Sequence, residues 1–453
     1  MSTSNPVVAI PIVDTSGSMT SYNYVALTVI DTKAFLSNAL PGDYIGVASY
    51  DTNGRVTYPL TIVDQALTVP TAAANAVQNL SFNGNSTNIG GGLQTAVNML
   101  SAAPAGINKG FVLLTDGYQN AGTYPIPLPA GTPPVYACAM GPNSDQNLLR
   151  QIATQSNGVF YYAPYVYDMM TIYNQIRSQT PGAQLLANGY KNATAYDFLL
   201  IPATVSVGND LGQFSVVWTD PSYLFTNGQP GANQLSVTLV TPAGVTITPM
   251  PSVQGGGYVT FNIDSPASGL WYIQIMYGGA QPIGLTGGAF EYSPSANAAP
   301  INMEVENSIV AKSGQPFQFS INLTDDEKSI SNQQIFATIT KPKISTNNAL
   351  KAYAHLLKDI QLPQDLLEST TNNNLEIEKL NVLRKNMMPN TDIQPQIKYG
   401  KILTQGKDGK YTGTIEDTLE AGSYNVHLQV TGYAEKSKTP FSRSHFMSIL
   451  VTD

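Results

Sequence analysis

The chain has 453 residues, more than one ordinary hydrophobic core organises, so its size predicts about two to four domains. A hydrophobic content of 42%, with 38 glycines and 30 prolines, is typical of a folded, loop-rich protein and excludes wholesale disorder. The formal net charge of -8, without any run of lysine and arginine, argues against nucleic acid as a partner.

Charge is distributed unevenly along the chain. Residues 1–300 contain 6 of the 22 lysines and arginines and 13 of the 30 acidic residues, and the first glutamate is Glu291. This shift predicts a domain border near residue 300.

A surface with so few charges favours an extracellular or cell-surface protein. No signal peptide is predicted, because the start lacks a positively charged region, and a cytoplasmic location stays open. No apolar stretch approaches the ~18 residues of a transmembrane helix.

The first 180 residues alternate short apolar runs with helical periodicity, which predicts a doubly wound, Rossmann-like α/β domain over residues 1–182. The candidate buried strands are residues 7–13, 44–50, 111–114 and 135–140. Helices are expected from about residue 22 to 40, through 93–100 and through 166–176. Pro11 would remove a backbone donor from the first strand, so we expect a bulge there. Cys138 is the only cysteine and is expected in the core.

The helical signal ends near residue 182, and strand-length runs separated by Gly, Pro and Asn follow. They predict an antiparallel β-sandwich over residues 183–297 and an immunoglobulin-like β-sandwich over residues 298–453. The second sandwich is interrupted at about residues 345–390 by a segment with helical spacing, itself broken near Pro363 and residues 370–374. This predicted helical insertion is either a solvated excursion or a pair of helices that binds a partner.

The first predicted strand ends in the sequence Asp14-Thr-Ser16-Gly-Ser18, just before a helical stretch. Open α/β sheets place their ligand sites at this end of their strands. A carboxylate beside alternate serines offers hard oxygen ligands, which suit Mg²⁺, Mn²⁺ or Ca²⁺ better than zinc. Taken alone, the segment is equally compatible with a helix cap, because Asp and Ser are favoured at helix N-termini.

Two further segments favour the metal site. Thr87 lies in a loop before an amphipathic helix, and Asp116 follows the buried run 111–114. A three-part match in order, at three strand or loop ends, is much less expected by chance than any one part.

With these residues the chain resembles the von Willebrand A family, whose metal-ion-dependent adhesion site combines Asp-x-Ser-x-Ser with a distant Thr and a distant Asp. All five positions have a counterpart here: Asp14, Ser16, Ser18, Thr87 and Asp116. The resemblance covers about residues 5–180. The chain also resembles bacterial von Willebrand A proteins and, more loosely, the calcium-activated chloride channel regulator family. The His-Glu-x-x-His metalloprotease motif found in some of those regulators is absent.

The resemblance implies one divalent cation, Mg²⁺ foremost and Mn²⁺ or Ca²⁺ as alternatives, held by the hydroxyls and by the aspartates directly or through water. One position would be left for an Asp or Glu carboxylate of a protein partner.

An enzyme is not expected, because the three histidines lie in the last third of the chain and no P-loop, dinucleotide motif or Gly-x-Ser-x-Gly is present. The alternative is a scaffold subunit in which the metal only orders the loops. The oligomeric state stays open.

Overall fold

The computed structural model describes residues 6–142, 144–164, 168–179, 183–293, 301–306, 310–362, 375–387 and 396–453. Its N-terminal part is a six-stranded sheet in the order β3-β2-β1-β4-β5-β6, with β3 antiparallel to β2 and the other pairs parallel. The strands are β1 (Val7–Asp14), β2 (Tyr44–Tyr50), β3 (Gly54–Ile62), β4 (Asn108–Thr115), β5 (Val135–Met140) and β6 (Phe160–Ala163). The predicted α/β class is confirmed.

Helices cover both faces of this sheet, because apolar clusters of helical and strand residues form on each side. They are α1 (Gly17–Ser21), α2 (Val25–Ser37), α3 (Thr68–Gln78), α4 (Ile89–Met99), α5 (Gln146–Gln155) and α6 (Asp168–Ser178), with a 3₁₀ turn at Leu100–Ala102. Cys138 lies in β5 and is buried, and burial raises the pKa of its thiol. No helix in the described parts of the chain is long and apolar enough to cross a membrane.

One local prediction for this domain is wrong. The bulge expected at Pro11 does not form, because Ala9 pairs with Ile45 and Ile12 with Ala48, which keeps one register across the proline. The helix expected from about residue 22 to 40 is α2, whereas the short α1 before it was not predicted. Asn23, between them, has a φ of 62°, and this left-handed conformation ends one helix before the next begins.

A pair of five-stranded sheets follows, with the strand orders β10-β11-β15-β8 and β13-β14-β9-β16-β7 and with β12 attached to β11. One apolar core contains residues of both sheets, including Ile273 of the first and Phe261 of the second, so the sheets pack face to face. Pairing is antiparallel except between β10 and β11. The strands are β7 (Ala183–Ala193), β8 (Phe198–Val205), β9 (Leu211–Trp218), β10 (Leu224–Thr226), β11 (Gln234–Val240), β12 (Thr246–Ile247), β13 (Val253–Gly255), β14 (Tyr258–Asp264), β15 (Gly269–Tyr277) and β16 (Ile283–Tyr292).

Two more sheets form the C-terminal part, with the orders β17-β19-β24-β23 and β18-β26-β25-β21-β22 and with β20 attached to β19. They also share one apolar core, to which Phe319 and Val426 belong. The strands are β17 (Ile301–Glu306), β18 (Val310–Lys312), β19 (Phe317–Asp325), β20 (Lys328–Ser329), β21 (Ile335–Pro342), β22 (Gln396–Ile402), β23 (Thr404–Gln405), β24 (Tyr411–Ile415), β25 (Gly422–Ala434) and β26 (Thr439–Thr452).

Between β21 and β22 the described residues form the helices α7 (Thr346–Leu357) and α8 (Leu375–Met387). They pack on each other through Ala349, Leu357, Leu380 and Leu383. The interruption expected near Pro363 and residues 370–374 lies outside the described residues. The predicted domain borders at residues 182 and 297 lie within the ranges 180–182 and 294–300, which are also outside the described residues. The three-domain division therefore stays a prediction.

The C-terminal sheets contact both preceding parts of the chain. Tyr162 lies in β6, at an edge of the first sheet. Its backbone N–H donates to Ser448 Oγ, and its carbonyl accepts a bond from Asn425 Nδ2, both at 2.9 Å. Arg443 of β26 forms an ion pair of 2.8 Å with Glu291 of β16, and both side chains are 1% exposed. The edge strand β6 of the first sheet is therefore covered by β25 and β26 of the last sheet.

Replacing Glu291 with Gln should destabilise the protein by about 3 kcal/mol, because Arg443 would stay buried without its counter-charge. The matched control is Glu435→Gln, which breaks an exposed pair with Lys438 and should cost less than about 1 kcal/mol. Calorimetric melting of both variants beside the wild type measures the difference. Equal melting temperatures for the two variants would contradict a stabilising role for the buried pair.

Candidate metal centre

Two neighbouring parallel strands carry the predicted carboxylates to one edge of the first sheet. Strand β1 ends at Asp14, and β4 ends at Thr115, followed by Asp116. Val13 of β1 pairs with Leu114 of β4, so the two aspartates leave the sheet side by side. This is the carboxyl edge, where open α/β sheets form ligand sites.

The Asp14 carboxylate is fixed through both of its oxygens. Oδ1 accepts the backbone N–H of Ser16 at 2.9 Å, and Oδ2 accepts the hydroxyl of Thr115 at 2.6 Å. The Tyr50 hydroxyl lies 3.5 Å from Oδ2 and donates to the carbonyl of Leu114 at 3.1 Å. The side chain thus has one defined orientation at the strand end.

A chain of hydroxyl contacts connects the first loop to the second aspartate. Ser16 Oγ and Ser18 Oγ are 3.0 Å apart, and Ser18 Oγ donates to Asp116 Oδ1 at 2.8 Å. The other oxygen, Asp116 Oδ2, is buried and has no hydrogen-bond partner among the described residues. A buried carboxylate oxygen without a donor is costly, and a bound cation would compensate it.

Thr87 reaches the same place on a third loop. The backbone N–H of Gly17 donates to the carbonyl of Gly84 at 2.7 Å, and Asn120 Oδ1 accepts the N–H of Thr87 at 2.7 Å. A Cβ placed on Gly117 would lie 3.3 Å from Thr87 Oγ1 and 3.8 Å from Ser18 Oγ. Both hydroxyls therefore border the space beside Gly117, and the structure brings all five predicted residues together.

A helix-cap role does not explain Thr87. The cap of α4 is the next residue, Asn88, whose side chain accepts the N–H of Gly91 at 2.8 Å. Ser16 stands at the N-cap of α1, but its side chain makes no capping bond. Asp14 does accept a local bond from Ser16, so only this contact has the character of a cap.

Burial makes the site electrostatically unfavourable without a positive charge. Burial raises the pKa of Asp14 to about 6, although hydrogen bonds from Thr115 and Ser16 oppose the shift. Burial, and then the negative charge of Asp14, raise the pKa of Asp116 well above its usual range. A divalent cation between these carboxylates would favour their ionised forms.

The available ligands fit a hard cation. Two carboxylates and three hydroxyls supply only oxygen, the ligand type of Mg²⁺, Mn²⁺ and Ca²⁺. In the described ranges no group of three or more His, Cys, Asp or Glu side chains is placed to hold a metal. A cation here would therefore depend on the hydroxyls as well as on Asp14 and Asp116.

Comparison with known proteins agrees with this architecture. The family model described as the von Willebrand factor type A domain matches residues 10–175. The chain carries a von Willebrand A domain. Curated proteins give no significant match.

Solved structures of von Willebrand A proteins are similar to this chain at low sequence identity. A von Willebrand factor type A protein from Catenulispora acidiphila is 17% identical, with a TM-score of 0.37 over 71% of this chain and 63% of that one. The ArnB paralog VWA2 from Sulfolobus acidocaldarius is 12% identical, with a TM-score of 0.32 over 72% and 63%. Proximal thread matrix protein 1 of the mussel byssus, with a zinc-occupied MIDAS motif, is 18% identical, with a TM-score of 0.35 over 43% and 50%. The chain thus spans under two thirds of each of these proteins.

Sequence reasoning missed several residues that hold the von Willebrand A site. Thr115 could have been found, since it precedes Asp116 and its hydroxyl is placed beside β1 by the parallel pairing. Tyr50 and Asn120 have no sequence pattern that ties them to the site. Glu378, whose carboxylate accepts a hydrogen bond from the Tyr22 hydroxyl, comes from the predicted helical insertion and could not have been placed here.

The stability of the metal-free von Willebrand A domain should fall as the pH rises from about 4 to about 6. Folded Asp14 keeps its proton up to about pH 6, whereas an unfolded aspartate releases it near about pH 4. The folded state therefore binds more protons in this window, and deprotonation costs it on the order of 3 kcal/mol. Asp14→Asn should lose this part of the pH dependence, measured by calorimetric melting with a chelator present.

The control for this experiment is Asp408→Asn, an exposed hairpin residue, which should keep the pH dependence of the wild type. The same slope in Asp14→Asn and in wild type would contradict the electrostatic description of the site.

Proposed function

We propose that this von Willebrand A domain binds one divalent cation through Asp14, Ser16, Ser18, Thr87 and Asp116, and through it captures an acidic group of a protein partner. The observation that carries the proposal is the buried Asp116 Oδ2, which lacks a hydrogen-bond partner in the described structure beside a cluster of hydroxyls. Mg²⁺ is the first candidate, with Mn²⁺ and Ca²⁺ as alternatives.

The composition of the shell explains why a partner's carboxylate would bind. An octahedral shell has one more position than five side chains can fill with one oxygen each. Three of the five ligands are neutral hydroxyls, so formal charge comes only from Asp14 and Asp116. An Asp or Glu side chain of a partner would add charge as well as an oxygen, which water in that position would not.

Von Willebrand A domains are generally interaction modules rather than enzymes. The two histidines of the C-terminal sheets do not belong to the strand ends and loops that form this edge. His427 and His445 lie in β25 and β26, and burial lowers the pKa of each to about 4. Binding therefore accounts for the site better than catalysis does.

Calorimetric titration with Mg²⁺, Mn²⁺ and Ca²⁺ tests the cation site. Asp14→Ala should abolish measurable binding, because it removes formal charge that hydroxyls do not replace. Thr87→Ala should weaken binding at least about tenfold. The control is Asp145→Ala, an aspartate whose side chain caps α5 by accepting the N–H of Leu148 at 2.9 Å. It should cost about 1 kcal/mol of stability and leave cation affinity unchanged. Equal affinity in all four proteins, or none in wild type, contradicts the proposal.

Burial of the site favours a second candidate function. Ser18, at 9% exposure, is the most accessible of the five side chains, so the metal could serve only to order the loops of a scaffold subunit. Retention of partner proteins on the immobilised chain separates the two functions. Release by a chelator, together with loss of retention in Asp14→Ala, supports capture through the metal. Retention that survives both changes supports the scaffold.

A further inference from the structure

A cavity of about 460 Å³ lies where three parts of the chain meet, and none of the five proposed metal ligands lines it. Its walls come from α6 of the von Willebrand A domain, from β7 and β8, and from β21, β22, β25 and β26 of the last sheet. Buried residues such as Ser442 line one end of it, and exposed residues such as Lys398 line the other. The cavity is therefore a cleft that opens to solvent, and its volume is in the range that bound ligands occupy.

Strand β7 borders this cleft with its free edge. Every residue from 186 to 191 lines the cleft. Because side chains alternate between the two faces of a strand, a strand face would contribute only every second residue, so the unbroken run indicates the backbone edge. β7 is the last strand of its sheet, and among the described residues it pairs only with β16. An unpaired backbone edge roughly 17 Å long is thus directed to the cleft.

A second wall of the cleft is the outer face of the last sheet. It includes Thr338 and Thr340 of β21 and Asn425, His427 and Gln429 of β25. Thr338 pairs with His427, and Thr340 pairs with Asn425, so these side chains share one face. The hydroxyls of Thr338 and Thr340 and the amide of Gln429 make no hydrogen bond within the described parts of the chain. They are available to the side chains of a strand that lies along β7.

The charge of the cleft favours acidic side chains. Lys191 of β7 and Lys398 of β22 are exposed, and neither forms an ion pair with a described residue. Arg443 is already part of a buried ion pair, and His427 adds no charge at neutral pH, because burial lowers its pKa to about 4. Asp168 is the one acidic residue that lines the cleft. The two lysines therefore leave the lining positive in a chain whose net charge is -8.

We propose that this cleft binds an extended acidic peptide segment of a partner protein, which adds as a strand to the free edge of β7. Backbone hydrogen bonds to β7 supply the affinity, and the threonine face and the two lysines select acidic side chains. The site is separate from the proposed metal centre and needs no cation.

Fluorescence anisotropy of the full chain with a labelled peptide of alternating Val and Glu tests this proposal. A chelator is present, so that no bound cation captures the peptide's carboxylates. Wild type and Asp14→Ala should bind the peptide equally, and a peptide of alternating Val and Lys should not bind. Methylation of the amide nitrogens along one edge of the acidic peptide removes the donors that strand pairing requires and should abolish binding.

Variants of the cleft locate the peptide. Lys191→Gln and Lys398→Gln should each weaken binding about fivefold, the effect of losing one exposed ion pair. Thr338→Trp fills the cleft and should abolish binding, and thermal melting checks that it folds. The matched control is Lys351→Gln, which removes an exposed lysine of α7 outside the cleft and should bind as wild type does. Should Thr338→Trp fail to fold, the two lysine variants and the methylated peptide carry the comparison.

Several outcomes would overturn the proposal. Equal binding of the methylated peptide excludes strand addition, and unchanged binding in Thr338→Trp and in both lysine variants excludes the cleft. Loss of binding in Asp14→Ala assigns the peptide to the metal centre instead. A wild-type dimer in sedimentation that Thr338→Trp dissociates makes a second copy of the chain the occupant. Failure of wild type to bind the acidic peptide also contradicts the proposal, whereas the proposed function is decided separately by the cation titrations.

Discussion

The parallel pairing of β1 with β4 is the constraint on which the site depends. It places Asp14 and Asp116 at adjacent strand ends, and the surrounding core buries both carboxylates. Two buried negative charges side by side are unfavourable unless donors or a cation compensate them. Thr115 and Ser18 supply hydroxyl donors, and Gly117 leaves room beside them for the Thr87 hydroxyl.

The same electrostatic cost extends to the contact between distant parts of the chain. The C-terminal sheets cover β6 through side-chain bonds to the backbone of Tyr162, and Glu378 of their inserted helix α8 accepts a hydrogen bond from the Tyr22 hydroxyl, just after α1. The segment just after the proposed ligands Ser16 and Ser18 is therefore in contact with the C-terminal part of the chain.

The sequence was sufficient for features that depend on local patterns. Apolar runs predicted the central strands of the first sheet. The resemblance to the von Willebrand A family selected Asp14, Ser16, Ser18, Thr87 and Asp116, and these residues lie close together in the structure. The short α1 was missed because five residues are too few to show the apolar spacing of a helix.

Features that depend on tertiary packing could not be predicted. Pro11 keeps a regular register because the ladder with β2 passes over it, which only the paired strands reveal. The position of Glu378 depends on how α8 packs against Met19 and Tyr24, and no pattern within the insertion encodes that contact.

Anomalous scattering from a crystal of the full chain grown with Mn²⁺ tests the central claim most directly, because it locates the cation without reference to affinity. The account predicts one strong peak at the carboxyl edge of the first sheet, within coordinating distance of Asp14 or Asp116 and of the Ser16, Ser18 and Thr87 hydroxyls. A fully occupied Mn²⁺ peak elsewhere, with none at this edge, would contradict it.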